Sequence, residues 1–262
     1  MIKADVSVIV PCFNAEETLS RAIKSVISQT MLPNEIVVID DGSASTAYLE
    51  ILQTIIGDLT KLKIIKLDRN MGVSYARNVG ICESESSYIA FLDADDYWHP
   101  EKIEIQFTLT SDLQYKISAH QYISNLNIKH IPTDKKITYN TIDYKRLLFK
   151  NYFATPTVMA LKSDFILFDE SLRRMEDHKC WIENTLISPA LLINSPLAGG
   201  FKMPLGEAGL SKNIPAMHEG AMQVFKTLKR DKKITCIEYL LASSFEQLKY
   251  LYRRIRMRKT AH

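Results

Sequence analysis

Four short apolar segments that alternate with helical patterns constrain the fold of this chain more than any other feature. They occupy positions 6–10, 35–40, 62–67 and 88–92, and they are mostly continuous and rich in branched residues, as in strands covered on both faces. Alternation of strand and helix at this spacing predicts βαβ units with right-handed crossovers. We therefore predict an α/β fold whose mostly parallel, Rossmann-like sheet is flanked by helices.

Helices are predicted after each of the first three strands. Asn14 is expected to cap the first helix, with Glu17 as its capping-box partner. The second helix is expected to end at about Gly57, and the third to cover 73–83.

The second half of the chain is less regular. We predict a helix that begins near Pro100, strands over 115–123 and 157–161, and a helix over 175–187. The Gly- and Pro-rich segment 195–213 is predicted to be a mobile loop.

Polar loops follow the predicted strands at positions 11–14, 40–43, 68–70 and 93–96. Ligands of open α/β sheets bind outside the carboxyl ends of the strands. These loops are therefore expected to meet along one edge and to form a binding site there.

The loop after the fourth strand is strongly acidic. Asp93 and Asp95 flank Ala94, and in an extended chain both carboxylates would leave on the same side. At about 5 Å they would repel by about 3 kcal/mol for an effective dielectric constant of about 20. Mg²⁺ or Mn²⁺ would offset this repulsion. The alternative is that Asp95 or Asp96 caps the next helix while the other acids face water.

Cysteine usage and hydropathy limit the class of protein. The four cysteines, at positions 12, 82, 180 and 236, have no paired spacing, which favours reduced thiols over a disulfide frame or a zinc site. The N-terminal apolar stretch leads directly into a strand, and no apolar run is long enough to span a bilayer. We therefore expect a cytoplasmic protein.

Five segments, in order, resemble the family 2 glycosyltransferases of the GT-A fold, which are inverting and depend on nucleotide sugars. The resemblance extends over roughly 6–181. Within the family, the chain resembles the members that build bacterial surface polysaccharides. The matching segments are VSVIVPCFNAEETLSRAIKSVISQT, EIVVIDDGS, NMGVSYARNVGI, YIAFLDADDYWHPEKI and FDESLRRMEDHKCW.

The resemblance implies a set of nucleotide-binding residues. Pro11 and Phe13, in the loop after the first strand, would border the nucleotide. Asp40 would contact the base, which is uracil in many members, with Asp41 close by. Arg77 would lie near the nucleotide.

The resemblance also implies a metal site and a catalytic base. Asp93 would face the ribose and the metal, and Asp95 would bind the metal, Mn²⁺ or Mg²⁺. Asp177 would be the base, with Glu176 beside it, and Trp181 would help to shape the acceptor pocket. A metal would neutralise the departing diphosphate, while Asp177 would take the proton of the attacking hydroxyl and allow inversion in one step.

Structural alternatives exist for these residues. The aspartates after the second strand could be turn formers. Arg77 could be a surface residue that pairs with Asp68. Glu176 and Asp177 could only favour the N-terminus of a helix electrostatically.

The sequence departs from the family pattern at two places. A further acid often follows DDGS, but this chain has the residues Ala-Ser-Thr at 44–46. After the helix that begins at Glu176, the expected diphosphate-binding motif is absent, and Lys202, Lys212 and His218 are the candidates. The third protein ligand of the metal is therefore not identified.

The C-terminal region, from about Met217, is predicted to form two helices and is basic. Residues 226–262 contain eleven Lys and Arg and three Asp and Glu, a net +8, which leaves −5 for the rest of the chain. Such a basic amphipathic helix can lie on an anionic membrane, at the inner face of the plasma membrane. It could equally pack on the catalytic domain or on a second subunit of a homodimer. Nucleic-acid binding is disfavoured because no recognition motif accompanies the charge.

We therefore predict a GT-A domain over 1–215, with a nucleotide-sugar half (1–112) and an acceptor half (113–215), and a basic helical C-terminal extension over 216–262. The predicted reaction moves a sugar from a nucleotide diphosphate sugar, expected to be a UDP-sugar, to a saccharide or lipid-linked acceptor. Three alternatives are a nucleotidyltransferase, a dinucleotide-dependent dehydrogenase and a non-catalytic binding module. The first two would require glycine-rich loops that PCFNAEETL lacks.

Overall fold

The computed structural model describes residues 3–124, 137–200 and 213–260, and nine strands within these ranges form one sheet. The strands are β1 (Lys3–Cys12), β2 (Leu32–Asp40), β3 (Lys61–Lys66), β4 (Tyr88–Phe91), β5 (Asp96–Trp98), β6 (Ile117–Ser124), β7 (Tyr139–Ile142), β8 (Met159–Leu161) and β9 (Ala190–Gly200). Their order across the sheet is β3-β2-β1-β4-β8-β6-β9-β5, and β7 pairs with β9 outside this path.

The first four strands form the parallel part that the sequence predicts. β1 pairs in parallel with β2 and β4, and β2 pairs in parallel with β3. β6 and β9 are also parallel, whereas β8, β5 and β7 run antiparallel to the strands that they pair with. The predicted α/β class with a mostly parallel sheet is confirmed, and the two predicted halves of the domain share this one sheet.

Helices cover both faces of the sheet. The α-helices of the described residues are α1 (Leu19–Ile27), α2 (Ala47–Ile56), α3 (Val73–Glu83), α4 (Lys102–Asp112), α5 (Tyr144–Phe149), α6 (Glu176–Ile187), α7 (Ile214–Arg230) and α8 (Cys236–Thr260). α1, α2 and α4 pack in one core, and α3, α5, α6 and α7 pack in the other. None of the helices in this part of the chain combines the length and the apolar character needed to cross a membrane.

Alternation along each central strand builds the two cores. In β1, the side chain of Ile9 points into the core that contains α3, while Val8 and Val10 point into the core that contains α1. In β2, Val37 and Val38 divide in the same way, and all five side chains are fully buried. This two-sided burial explains why these strands have continuous apolar sequences.

The first helix begins later than the sequence predicts. α1 starts at Leu19, and Thr18 precedes it without a side-chain cap. Asn14 instead adopts a left-handed conformation with φ of 48°, and its side-chain oxygen accepts a hydrogen bond from the Ala44 amide at 3.1 Å. The predicted capping box is therefore wrong, because Asn14 ties two loops together.

The predicted mobile loop at 195–213 is also wrong in its first part. Residues up to Gly200 belong to β9, which pairs with β5, β6 and β7. A Cβ atom at Gly200 would collide with the carboxylate of Asp96 and the hydroxyl of Tyr122. The glycine here permits close packing of strands and does not mark a turn. The remainder of the segment, 201–212, lies outside the described residues.

Lys102, at the start of α4, is fully buried. Its ammonium nitrogen lies 3.6 Å from the centre of the Trp98 ring and has no hydrogen-bond partner among the described residues. Burial lowers the pKa of this amine well below the usual lysine value. Burial therefore favours the neutral amine over the ammonium, at a cost to the free energy of folding.

We expect Lys102→Met to raise the free energy of unfolding by about 2 kcal/mol near neutral pH, since an apolar side chain of similar length replaces a buried ionisable group. The unfolded wild-type chain binds the Lys102 proton more tightly than the folded chain does, so wild-type stability should rise with pH up to the usual lysine pKa. Urea denaturation at about pH 7 and about pH 9 should show this slope in the wild type and a smaller one in the variant. Lys116→Met, at an exposed ion pair with Asp164, is the control. A less stable Lys102→Met protein would show instead that the ammonium is charged and stabilised by the Trp98 ring.

Candidate active site

The carboxyl ends of β1 and β2 bring the first two polar loops together. Cys12 lies opposite Asp40 in the parallel pairing, and the Asp41 amide donates a hydrogen bond to the Cys12 carbonyl at 2.8 Å. Pro11 is buried within β1, whereas the side chain of Phe13 is 48% exposed at the tip of its loop. Of these two predicted nucleotide neighbours, Phe13 offers an accessible surface to a ligand.

Asp40 ends β2 with a buried carboxylate. Its Oδ1 accepts hydrogen bonds from the Ser43 hydroxyl and from the Tyr48 hydroxyl, the latter at 3.2 Å. Burial, opposed by the hydrogen bond with Ser43, raises the pKa of Tyr48, so this phenol stays a donor. Asp40 is thus held by two hydroxyl groups at the end of β2, and its contact with the base stays a prediction.

Asp41 joins the loop after β2 to the loop after β3. Its two carboxylate oxygens accept hydrogen bonds from the backbone amides of Met71 at 2.7 Å and Gly72 at 2.9 Å. Gly42 has φ of 74°, and a Cβ atom there would collide with the Arg69 backbone. Asp41 is therefore a structural clamp between the loops, and Gly42 provides the space for it.

Arg77 connects the acidic turn to Glu176, which precedes the predicted base Asp177. Its guanidinium donates to Asp93 at 2.9 Å and lies 3.5 Å from Glu176, and its side chain is only 5% exposed. Burial opposes its charge, but Asp93 and Glu176 outweigh burial and raise the pKa of Arg77. The alternative of a surface residue paired with Asp68 is wrong.

The acidic loop is a turn between β4 and β5, not the extended segment that the sequence argument assumes. The Asp96 amide donates to the Asp93 carbonyl at 3.0 Å, and the Asp95 carbonyl accepts from Arg21 at 3.1 Å. Asp96 is buried and accepts from the Tyr122 hydroxyl at 2.8 Å. Burial, followed by the charges of the three aspartates, raises the pKa of Tyr122. The buried Asp96 carboxylate is therefore fixed by this phenol.

Glu176 and Asp177 begin α6 after Met175, which adopts a left-handed conformation with φ of 59°. Asp177 Oδ2 accepts a hydrogen bond from the Asn151 amide at 3.3 Å, and Oδ1 accepts from the His178 backbone amide at 2.7 Å. Burial raises the pKa of Asp177 despite these hydrogen bonds. Burial and then the neighbouring Asp177 raise the pKa of Glu176. Both carboxylates therefore bind a proton more tightly than an ordinary Asp or Glu carboxylate does.

The observed positions of Trp181 and His218 do not match their predicted roles. Trp181 is fully buried and packs against Phe91 and Phe168, so it supports α6 from within the core and does not line an open acceptor pocket. His218 stacks on Tyr250 at 4.3 Å between α7 and α8, which does not fit contact with a diphosphate. The other two candidates, Lys202 and Lys212, lie outside the described residues.

Tyr48, Tyr122 and Asn151 belong to the site but are absent from the sequence prediction. Each contacts a predicted acid, Asp40 or Asp177, or the buried Asp96. Tyr122 is separated from Asp96 by 26 residues, as Asn151 is from Asp177. No local spacing in the sequence marks these partners.

The donor atoms at the acidic turn fit a hard divalent cation. Asp93 and Asp95 supply carboxylate oxygens, which Mg²⁺ and Mn²⁺ prefer, and magnesium-type sites take their remaining ligands from phosphate and water. Asp93 also binds Arg77, and Asp95 is partly exposed in the turn, so both are candidate ligands. Within the described ranges, no three or more His, Cys, Asp or Glu side chains cluster as a ready metal site.

Comparisons with known proteins identify the family of this chain. The model of Glycosyl transferase family 2 matches residues 7–167. An uncharacterized glycosyltransferase of Haemophilus influenzae is 30% identical over 212 residues, which cover 79% of this chain and 82% of that protein. The Escherichia coli enzyme WfgD, a UDP-Glc:α-D-GlcNAc-diphosphoundecaprenol β-1,3-glucosyltransferase, is 28% identical over 253 residues, 94% of this chain and 92% of WfgD.

A solved structure supports the fold. The crystal structure of S. aureus TarS 1–349 in complex with UDP superposes with a TM-score of 0.64 at 21% identity, covering 84% of this chain and 65% of that one. The family model matches more than half of the chain, and the relatives are themselves glycosyltransferases. The chain therefore belongs to glycosyltransferase family 2 and is an enzyme of that class with the GT-A fold.

Proposed function

We propose that this protein transfers a sugar from a UDP-sugar to a hydroxyl of a saccharide or lipid-linked oligosaccharide, with inversion, in the synthesis of a bacterial surface polysaccharide. Membership of the family implies a nucleotide-sugar donor and a saccharide acceptor. UDP as the nucleotide is supported by the UDP-glucose donor of WfgD and by the UDP complex of TarS. WfgD aligns with nearly the whole of this chain, and its diphosphoundecaprenol-linked substrate supports a lipid-linked acceptor.

The observation that carries this proposal is the ion bridge made by Arg77. Its guanidinium joins Asp93, on the acidic turn, to Glu176, next to the predicted base Asp177. A donor bound at the turn would therefore have its reacting sugar close to Asp177. Direct attack by an acceptor hydroxyl requires both groups to be close to the same carbon atom.

Each residue has a distinct task in the proposed reaction. Asp177 accepts the proton of the attacking hydroxyl, and its raised pKa makes that transfer more favourable. Asn151 holds Oδ2 of this carboxylate in position. Asp40 orients the base of the nucleotide. When bound, a Mn²⁺ or Mg²⁺ ion at Asp95, beside Asp93, would neutralise charge that develops on the leaving diphosphate.

A thermal-shift measurement with nucleotides tests the proposal. We expect UDP with Mn²⁺ to raise the melting temperature, and UDP without metal to raise it little, because the diphosphate and the turn repel each other without a cation. GDP and ADP with Mn²⁺ should be weaker, since Asp40 is expected to select the base.

Asp95→Asn provides the matched variant, because it removes one negative charge and keeps the shape of the side chain. It should lose the metal-dependent part of the shift while its melting temperature without ligand stays close to the wild-type value. Equal stabilisation of wild type and Asp95→Asn by UDP and Mn²⁺ would contradict the metal role of Asp95. No stabilisation by any nucleotide would contradict the proposed donor site.

A further inference from the structure

Helix α8 has two faces with opposite surroundings. One face packs on the protein: Ala242 is fully buried, Glu246 is 5% exposed, and Tyr250 stacks on His218 of α7. The other face consists of large apolar side chains that are between 42% and 70% exposed. They are Ile237, Leu240, Leu241, Phe245, Leu248, Leu251, Tyr252 and Ile255. We call this set the apolar stripe.

The apolar stripe is continuous. At about 100° per residue its eight side chains fall within an arc of about 140°, and it is about 27 Å long from Ile237 to Ile255. Contiguous exposed apolar surface of this kind marks an interaction site, since soluble proteins seldom leave it uncovered. The stripe therefore needs a partner of its own.

The charges beside the stripe indicate what that partner is. Arg254 lies about 100° from the centre of the stripe on one flank, and Arg256 lies at a similar angle on the other flank. Residues 226–262 carry a net +8, from eleven Lys and Arg and three Asp and Glu. An amphipathic helix at a lipid surface buries its apolar face at the level of the acyl chains and keeps basic flanks among the anionic headgroups.

Pairing of the stripe with a second copy is disfavoured by the same charges. Lys232 and Lys233 precede α8, and Arg253, Arg254 and Arg256 are near its end. Parallel or antiparallel pairing of two such helices would bring positive charge against positive charge at both ends of the contact. An anionic bilayer has no such conflict, because its negative headgroups would attract these basic residues.

We infer that the apolar stripe of α8 docks this enzyme on an anionic lipid bilayer. The inference goes beyond the proposed function, because this docking needs neither donor nor acceptor. The docked helix also contacts the elements that lead to the predicted base. α8 contacts α5 through Phe245 and Phe149, whose rings lie 5.5 Å apart, and through the Lys249 ammonium, which donates to the Phe149 carbonyl at 3.4 Å.

α5 in turn is fixed to the start of α6. The His178 imidazole donates a hydrogen bond to the Leu147 carbonyl at 2.6 Å, and Asn151, two residues beyond the Phe149 carbonyl, contacts Asp177. The docked helix is therefore joined through one short helix to the segment that carries the predicted base.

Vesicle co-sedimentation of the full chain tests the inference. We expect binding to vesicles in which phosphatidylglycerol replaces a third of the phosphatidylcholine, and weak binding to phosphatidylcholine alone. Leu248→Glu should reduce the partition coefficient roughly tenfold, because it places a charge in the middle of the stripe. Ile51→Glu is the matched control, since Ile51 is also exposed and helical but lies on α2, and it should bind like the wild type. Arg254→Gln should weaken binding to the anionic vesicles alone.

Light scattering and the UDP thermal shift separate the other outcomes. Equal vesicle binding by Leu248→Glu and wild type, or no binding of wild type to anionic vesicles, would overturn the inference. So would a stable wild-type dimer that Leu248→Glu converts to monomer, since a second copy would then cover the stripe. An unchanged UDP shift in Leu248→Glu shows that the variant is folded. A wild type that binds vesicles without any UDP shift would contradict the proposed function alone.

Discussion

Asp177→Asn is expected to lower the rate of sugar transfer by about 10²- to 10⁴-fold, the usual contribution of a general base. The substitution keeps the size of the side chain and its place at the start of α6, but the amide cannot take the proton of the attacking hydroxyl. Nucleotide binding at the acidic turn should persist, so the thermal shift with UDP and Mn²⁺ should match that of the wild type. Initial rates with a UDP-hexose and a purified acceptor measure the loss.

The pH dependence gives a second test of the same residue. Burial raises the pKa of Asp177, so wild-type activity should fall on the acid side at a pH above the usual range for aspartate, as the base becomes protonated. Asp164→Asn, at an exposed carboxylate, is the matched control and should keep both the rate and the profile. A wild-type rate in Asp177→Asn would remove Asp177 from the mechanism.

Arg77→Met is expected to lower the free energy of unfolding by about 3–5 kcal/mol, the range measured when one partner of a buried ion pair is removed. Arg77 is 5% exposed, and its loss leaves Asp93 and Glu176 close together without a cation between them. Urea denaturation at neutral pH measures the change. The destabilisation should shrink as the pH falls, because protonated carboxyls no longer repel each other.

Two further variants separate the charge of Arg77 from its shape. Arg77→Lys keeps one positive charge but cannot donate to both carboxylates with one planar group, so an intermediate loss is expected. Arg230→Met removes an arginine from an exposed pair with Asp231 and should leave the unfolding midpoint unchanged. An Arg77→Met protein as stable as the wild type would show that the bridge does not hold the site together.

The first half of the fold could be predicted because its signals are local. β1 to β4 are apolar segments in which each residue reports its own burial, and α3 spans Val73–Glu83 as predicted. The predicted acids Asp40 and Asp93 do lie at the carboxyl ends of β2 and β4, and their roles stay predictions. Strands whose consecutive residues are all buried can therefore be recognised from the sequence alone.

The rest depends on contacts between distant segments. β9 contains Gly200 because Asp96 and Tyr122 approach it, and a glycine selected for close packing has the same letter as one selected for a turn. Asn151 and Tyr122 acquire their roles from partners that are 26 residues away. The acidic turn shows a third limit, since its charges are visible in the sequence but its reversal of direction is not.

The clamp made by Asp41 has a consequence for anyone who would exchange the nucleotide preference of this enzyme. The carboxylate is fastened to the amides of Met71 and Gly72, and Gly42 presses against the Arg69 backbone. Replacing the loop after β2 with that of another transferase would place a foreign loop against the native loop after β3. The loops after β2 and β3 therefore form one structural unit, and a chimera should take both loops from the same parent protein.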